Sequence, residues 1–300
     1  MLPGGPDRGP GTVTDDPGGA FGDLGPLGDR IWIVLGGGGL KGLAHGGAWR
    51  AMEEAGLEVA GVVGCSVGAL VGALIAGGLG WEELEGLARS LERSDIAQIN
   101  RRAAWINGIR QPALFLADPL KEYIAEALPV RDWNELRFPL QINAVNLRTG
   151  LTEWFGTGAN TDVSMAEAIY ASTALPVFYP PAVVGGKVYV DGGTESSLPL
   201  ERAAECGATG ILAVDVGSGR ACEPEVVVGG GMLAIHERIF SLMAWRRRSE
   251  EIRRWEGPPL VLVRPRLEGY SNFSFDGVDY FLEEGYRATR ESLERGLPTE

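Results

Sequence analysis

Histidine is almost absent from this sequence, which has only His45 and His236 among its 300 residues. A hydrolase triad that uses histidine as its general base therefore has two candidates at most. His45 lies just inside a predicted helix, and His236 lies on another whose Ile235 and Ile239 are expected to face the core. Both histidines are predicted to be structural rather than catalytic.

The sequence also contains few cysteines, and it has fewer basic than acidic residues. The three cysteines, Cys65, Cys206 and Cys222, do not have the spacing of a zinc site, so we expect reduced thiols in a cytoplasmic protein and no metal. Lysine and arginine number 27 against 40 aspartates and glutamates, a formal net charge of −13. This balance argues against nucleic acid as a partner, because binding it requires a basic face that neutralises phosphates.

Long hydrophobic runs are missing as well. No apolar segment reaches the roughly 18 residues of a membrane-spanning helix, and the first residues lack the basic start and apolar centre of a signal peptide. Residues 1–29 are dense in glycine, proline and aspartate, which cannot pack into a core, and are predicted to be a disordered tail. Residues 30–300 are expected to form one soluble domain.

The sequence does contain apolar runs that alternate with helical patterns. The predicted strands are 31–35, 59–63, 138–146, 151–155, 210–216 and 259–265, and residues 183–190 are predicted to form a hairpin. The predicted helices are 44–56, 69–78, 81–94, 118–128, 164–172, 198–208, 231–255 and 276–296. This order predicts a three-layer α/β/α domain with a central, mostly parallel sheet. Residues 95–117 lack clean periodicity and are predicted to be a mobile cover over a site.

The pentapeptide GCSVG (64–68) lies between a predicted strand and a predicted helix. A nucleophilic serine on such a sharp turn needs small residues two positions away on each side, because neighbouring backbone approaches closely there. Gly64 and Gly68 meet this requirement, which makes Ser66 a candidate nucleophile. The alternative is a plain tight turn, in which Ser66 would have no chemical role.

A glycine-rich loop, GGGGLKG, follows the first strand. Its backbone N–H groups at a helix N-terminus are candidate donors for an oxyanion hole formed by Gly37, Gly38, Gly39, Lys41 and Gly42. The same loop matches the GxGxxG pattern of dinucleotide-binding proteins, which stays open as an alternative. That fingerprint also needs an acidic residue at the end of the second strand, where this chain has GCSVG instead.

The general base could come from either of two places. Asp191 ends the strand-like segment VYVD, and Gly192 and Gly193 behind it leave room for another chain segment. Burial would raise the pKa of its carboxyl toward working pH. Two alternatives stay open: a solvated turn aspartate, and a triad in which His236 is the base together with Asp191 or Asp215.

Three segments together resemble the patatin-like phospholipases in their bacterial form: GGGGLKGLAHGGAWRAMEEAG, GCSVGALVGAL and VYVDGGTESSLPLERAAECGATGILAVDVG. The likeness runs from Ile31 to the final helix. It implies a patatin-like α/β domain with a Ser–Asp dyad, in which Ser66 is the nucleophile, Asp191 is the base and loop 37–42 is the oxyanion hole. Cys65 and Val67 stand where the family commonly has threonine and alanine.

The function that the resemblance implies is cleavage of carboxylic ester bonds in lipids, through an acyl-enzyme and without metal or organic cofactor. The expected partner is a lipid or acyl-ester substrate, in the cytoplasm or at a membrane surface. Two other classes stay open: a dinucleotide-binding protein and a non-catalytic regulatory module of the same fold. The sequence does not indicate an oligomeric state.

The segment AWRRRSEEIRRW (244–255) has two interpretations. Its arginines between Trp245 and Trp255 could contact lipid headgroups. Alternatively, Glu250 and Glu251 pair with arginines three or four residues away on a solvated helix face. The glutamates dilute the positive charge and favour the second interpretation.

Overall fold

The computed structural model describes residues 24–100, 111–217 and 223–296, and its centre is an eight-stranded mixed sheet. The strands are β1 (Ile31–Leu35), β2 (Val59–Gly64), β3 (Leu140–Asn146), β4 (Thr152–Gly156), β5 (Ala182–Val184), β6 (Lys187–Asp191), β7 (Gly210–Val214) and β8 (Leu260–Val263). Their order is β5-β6-β3-β2-β1-β7-β8, with β4 also paired to β3. Strands β1, β2, β3, β7 and β8 run parallel, whereas β4 and β6 run antiparallel to β3.

Helices connect these strands and cover both faces of the sheet. The helices are α1 (Ala44–Glu54), α2 (Val67–Ala76), α3 (Trp81–Ser90), α4 (Arg93–Ile96), α5 (Ala117–Ala127), α6 (Met165–Thr173), α7 (Leu200–Glu205), α8 (Pro224–Gly229), α9 (Gly231–Arg253) and α10 (Val278–Arg295). Over the described ranges, no helix combines the length and the apolar character needed to cross a bilayer.

Strand β1 shows how the two cores form. Ile33 and Leu35 belong to the larger apolar cluster, whereas Trp32 and Val34 belong to the smaller one. Because side chains of a strand point alternately to its two faces, the clusters lie on opposite sides of the sheet. Helices α1, α2, α3, α5, α6 and α10 pack on the larger cluster, and α7 packs on the smaller one. The predicted three-layer α/β/α fold is therefore confirmed.

Strand β3 brings two distant parts of the chain together. β2 runs parallel to β3, and its last residue, Gly64, pairs with Ile142. β6 runs antiparallel to β3, and its last residue, Asp191, pairs with Ala144. Because β4 pairs with one edge of β3, β2 and β6 both pair with its other edge. β2 and β6 run in opposite directions along that edge, so their C-terminal ends meet there. The turn after Gly64 therefore lies beside Asp191.

The structure describes the last residues of the segment predicted to be a disordered tail, from residue 24 onward. A 3₁₀ turn spans Gly25–Leu27, and the Leu27 side chain is fully buried in the larger core. Residues 1–23 of the predicted tail lie outside the described residues. So do residues 101–110 of the predicted cover, whose flanks meet in a bridge between Ile99 and Phe115.

Candidate active site

Ser66 occupies the turn between β2 and α2 with φ 54° and ψ −125°. A positive φ is uncommon for a residue with a side chain and marks strained backbone, which clusters at functional sites. The Ser66 N–H donates to the Ser172 Oγ at 2.9 Å. Helix α2 begins at the next residue, Val67, so the positive end of its dipole lies at the Ser66 side chain.

Close backbone approach explains the two glycines around this serine. A Cβ on Gly68 would overlap the carbonyl oxygen of Leu35 at the end of β1. A Cβ on Gly64 would overlap the Gly68 carbonyl and the backbone of Ala69. Since these contacts are with backbone rather than with flexible side chains, neither position can accommodate a larger residue without moving the turn.

Asp191 faces Ser66 across the gap between β6 and β2. The Ser66 Oγ donates to the Asp191 Oδ2 at 2.7 Å, and the Gly193 N–H donates to the Asp191 Oδ1 at 2.7 Å. The carboxyl is 3% exposed, and this burial raises its pKa from 3.8 to about 6. The hydrogen bonds from Ser66 and Gly193 oppose this shift. Gly192 is buried behind the carboxyl against the Asn143 side chain.

The glycine loop passes directly over Ser66. A Cβ on Gly37 would lie 3.3 Å from the Ser66 Cβ. The Gly37 N–H is already engaged, because it donates to the Ser197 carbonyl at 2.9 Å. Within the described part of the chain, the N–H groups of Gly38 and Gly39 have no acceptor. Of the predicted donors, Gly38 and Gly39 are therefore available to a substrate and Gly37 is not, whereas Lys41 and Gly42 lie within the 3₁₀ turn Gly39–Leu43.

The residues on either side of Ser66 have packing roles. The Val67 methyl groups fill the space in front of Gly42, where any Cβ would overlap them. Cys65 is fully buried under the turn, and this burial raises the pKa of its thiol well above the ordinary value. A buried, protonated thiol is a poor nucleophile. Of these two side chains, Ser66 lines the cavity described below and Cys65 does not.

Neither histidine lies beside Asp191. The buried His45 contacts the Gly36 carbonyl through Nε2 at 2.8 Å, and burial lowers its pKa to about 4. A neutral ring that donates from Nε2 holds the start of the glycine loop. His236 is absent from the described residues that line the cavity at Ser66. The arrangement therefore offers no support for the triad alternative.

A buried arginine that the sequence did not single out supports the glycine loop. Arg248 of α9 is 3% exposed and pairs through Nε with the Asp215 Oδ1 at 2.8 Å. Its Nη1 donates to the Ser197 Oγ at 2.9 Å, and its Nη2 donates to the Gly217 carbonyl at 3.1 Å. Because the Ser197 carbonyl holds the Gly37 N–H, Arg248 is linked to the loop through one residue.

Ser66 and Asp191 open into one cavity with largely apolar walls. Aliphatic side chains of α2, of α3 and of the residue that follows α3 form one side of it: Leu70, Val71, Leu74, Leu84, Leu87 and Leu91. Lys41 also lines the cavity, and burial lowers the pKa of its ammonium to about 8. Within the described ranges no cluster of three or more His, Cys, Asp or Glu side chains could hold a metal ion.

The arginine-rich end of α9 is engaged in ion pairs. These pairs join Arg247 to Glu195 and Glu251, and Arg253 and Arg254 to Glu250. The Trp255 indole N–H donates to the Pro258 carbonyl at 2.9 Å, and its ring packs on the smaller core. These contacts match the solvated-face interpretation for this end of the helix.

Comparison with known proteins adds independent evidence. The family model described as patatin-like phospholipase matches residues 33–204, more than half of the chain. This range includes the glycine loop, the turn at Ser66 and the strand that ends at Asp191. An NTE family protein of Mycobacterium tuberculosis is 31% identical over 202 residues, which are 66% of this chain and 53% of that protein.

Two further similarities concern a fungal enzyme and a solved structure. Lysophospholipase nte1 of Neosartorya fischeri is 26% identical over 300 residues, 91% of this chain and 19% of that protein. The crystal structure of VipD from Legionella pneumophila has a TM-score of 0.52 at 16% identity, over 89% of this chain and 67% of that chain. This likeness concerns the fold alone. The chain spans about half of the mycobacterial relative and about a fifth of the fungal one.

Proposed function

The chain belongs to the patatin-like phospholipase family, and from this premise we propose that it is a serine hydrolase of lipid carboxylic esters, either phospholipids or lysophospholipids. The observation that carries the proposal is the 2.7 Å hydrogen bond from the Ser66 Oγ to the buried Asp191 carboxylate. The lysophospholipase relative supports the same substrate class.

In the proposed mechanism Asp191 accepts the hydroxyl proton while the Ser66 Oγ attacks the ester carbonyl carbon. The tetrahedral oxyanion accepts hydrogen bonds from the N–H groups of Gly38 and Gly39, beside the N-terminus of α2. Collapse of this tetrahedral intermediate expels the alcohol, which takes the proton from Asp191 and leaves an acyl group on Ser66. Water then gives a proton to Asp191 and attacks the acyl carbon. The second tetrahedral intermediate expels the Ser66 Oγ, which takes this proton back from Asp191 as the fatty acid is released.

The cavity walls match the acyl part of such a substrate. Val67, Leu70, Val71 and Leu74 line the cavity from one side of α2. At 1.5 Å per residue, Leu74 lies about 12 Å along the helix from Ser66. An apolar channel of this length accommodates one acyl chain, with its ester carbonyl at the serine. Burial of each CH₂ group contributes about 0.8 kcal/mol to binding.

Leu74→Phe is expected to shift selectivity toward shorter chains. The larger ring fills the channel two turns away from Ser66, so esters with long chains lose binding and short ones do not. We expect kcat/KM for a 4-nitrophenyl hexadecanoate to fall about tenfold, and kcat/KM for the butanoate to change less than twofold. Equal losses on both esters, or a collapse of the melting temperature, would contradict a channel along α2.

The experiment that tests the proposed function is active-site labelling together with product analysis. The folded chain is expected to react stoichiometrically with a fluorophosphonate probe, with the label on the Ser66 peptide in mass spectrometry. It is also expected to release fatty acid from lysophosphatidylcholine. A folded chain that neither labels nor releases fatty acid would favour a non-catalytic module. Stabilisation by NAD or NADP without labelling would favour a dinucleotide-binding protein.

Arg248→Lys is expected to lower kcat without unfolding the protein. Lysine keeps the charge beside Asp215 but cannot reproduce the contacts with Ser197 and Gly217, so the glycine loop loses its fixed position. Misplacement on this scale costs roughly ten- to a hundredfold in kcat, with little change in KM. The matched control is Arg254→Lys, an exposed arginine that directly follows the last residue of the same helix. If Arg248→Lys lowers only the melting temperature, the residue has no positioning role.

A further inference from the structure

The outward side of α9 carries a solvent-exposed row of apolar side chains. Met232, Ile239 and Met243 are 85%, 52% and 66% exposed, and Ile235 is 36% exposed. Their spacing of three and four residues puts them on one side of the helix. We call these four side chains the apolar stripe. Exposed apolar surface of this kind marks an interaction site, because solvation of each side chain is unfavourable.

The same helix forms a wall of the cavity at Ser66. Phe240, Ser241 and Ala244 of α9 line that cavity, and each is adjacent to the apolar stripe or one residue removed from it. Helix α9 therefore separates the cavity from the solvent that its apolar stripe faces. A surface bound to the stripe would lie one helix diameter from the cavity, about 10 Å.

A second exposed apolar pair belongs to other walls of the cavity. Val177 is 39% exposed and has a φ of 73°, and its neighbours Leu175 and Tyr179 line the cavity. Ile99 is 56% exposed and lies three residues after the cavity-lining Ile96. A β-branched residue at positive φ is a strained conformation. Val177 therefore combines a strained backbone with an apolar side chain that is exposed to solvent.

The Ile99 and Val177 segments are joined to each other. Ile99 bridges to Phe115, and the Leu114 N–H donates to the Val177 carbonyl at 2.8 Å. The Phe115 ring packs against Phe178, with 6.0 Å between ring centroids. These two exposed side chains therefore belong to one continuous piece of the cavity rim, separate in sequence from α9.

The charges beside the stripe complement a phospholipid surface. Residues 238–248 of α9 contain four arginines and no acidic residue, in a chain whose net charge is −13, and two of the four, Arg247 and Arg248, are engaged in ion pairs. Arg246, in this stretch, is exposed. Apolar side chains next to a cation match the acyl and phosphate layers of a lipid interface. Because the chain as a whole is acidic, a zwitterionic surface suits it better than an anionic one.

We propose that the apolar stripe, together with Ile99 and Val177, docks on a zwitterionic phospholipid surface and holds the cavity against it. This inference rests on the proposed function, since a lipid esterase gains when the acyl chain enters its cavity without crossing water. In this docked position the apolar stripe contacts the lipid on one side of the cavity, and Ile99 and Val177 contact it on another side. The phosphates of the lipid contact Arg246.

The test compares two triple variants in binding to phosphatidylcholine vesicles. The stripe variant is Met232→Ser, Ile239→Ser and Met243→Ser. The matched control is Leu147→Ser, Leu151→Ser and Val183→Ser, whose side chains are 56%, 67% and 71% exposed and do not line the cavity at Ser66. Both are made on a Ser66→Ala background for co-sedimentation, so that binding is measured without turnover.

The stripe variant is expected to lose about tenfold or more in vesicle partitioning, whereas the control binds like its parent. With Ser66 restored, the stripe variant should hydrolyse a soluble short ester normally and vesicle lipid slowly. Equal binding by the stripe variant and its parent would overturn docking. Docking would also be overturned if light scattering shows that the parent is a dimer and the stripe variant is a monomer, because the stripe then binds a second copy of the chain. Vesicle binding without any ester hydrolysis would retain docking and refute the proposed function.

Discussion

Ser66→Ala is expected to abolish fatty acid release, with kcat lowered by about 10⁴-fold or more. The variant lacks the hydroxyl oxygen that lies at the N-terminus of α2 and donates to the buried Asp191 carboxylate at 2.7 Å. Alanine adopts the same backbone as serine, so the turn and the fold are expected to persist. Rates on lysophosphatidylcholine and fluorophosphonate labelling measure the loss, and circular dichroism checks the fold.

The control for this loss is His236→Ala. Because His236 does not line the cavity with Ser66, its removal should leave kcat within about twofold, the range expected of a substitution away from the site. A His236→Ala variant that loses turnover as Ser66→Ala does would restore the triad hypothesis. Equal labelling of the wild type and Ser66→Ala would place the nucleophile elsewhere.

Asp191→Asn is expected to lower kcat by roughly 10²–10⁴-fold, the usual contribution of a general base. The amide cannot accept the Ser66 proton, although it retains the acceptor that binds the Gly193 N–H. In the wild type, burial raises the Asp191 pKa to about 6, and only the ionised form is a base. The rate should therefore rise with pH to a plateau with a midpoint near 6. The variant should lose this midpoint.

The same substitution is expected to stabilise the protein at neutral pH. Asp191 has a pKa of 3.8 unfolded and about 6 folded, so between these values the folded state holds more protons. Stability from this group therefore falls as the pH rises through that window. At 1.36 kcal/mol per pKa unit, the ionised carboxylate costs the fold about 3 kcal/mol above pH 6.

Thermal melts at two pH values test whether the ionised Asp191 carboxylate lowers the stability of the fold. Asparagine carries no charge, so Asp191→Asn should raise Tm by about 2–5 °C at pH 8 and change it little at pH 4. A gain of equal size at both pH values would have another origin. A lower Tm at pH 8 would mean that the carboxylate stabilises the fold.

Local sequence signals were sufficient for the framework of this molecule. The continuous apolar runs at 31–35 and 210–216 predicted buried parallel strands, and the structure has β1 and β7 there. The apolar strand before GCSVG and the helix after it predicted the turn at Ser66. These features depend on neighbours within about ten residues, where periodicity and glycine placement are informative.

The parts that the sequence could not supply depend on contacts between distant segments. Ser172, which accepts the Ser66 N–H, is 106 residues away along the chain. The sequence does not distinguish the Gly37 N–H from those of its neighbours, and only the tertiary structure shows that Ser197 engages it. Arg248 looked like one arginine of a surface cluster, and only tertiary structure shows it buried beside Asp215. No spacing rule within one segment reports such pairings.

The meeting of β2 and β6 on one edge of β3 has a consequence for folding. Ser66 and Asp191 are separated by 125 residues, and each is positioned by pairing with the same strand. Formation of the pair thus requires closure of very long loops, the slow part of folding. A chain with β2 paired but β6 undocked would be compact and inert. Recovery of enzymatic rate during refolding therefore reports completion of the sheet, later than the recovery of helical signal.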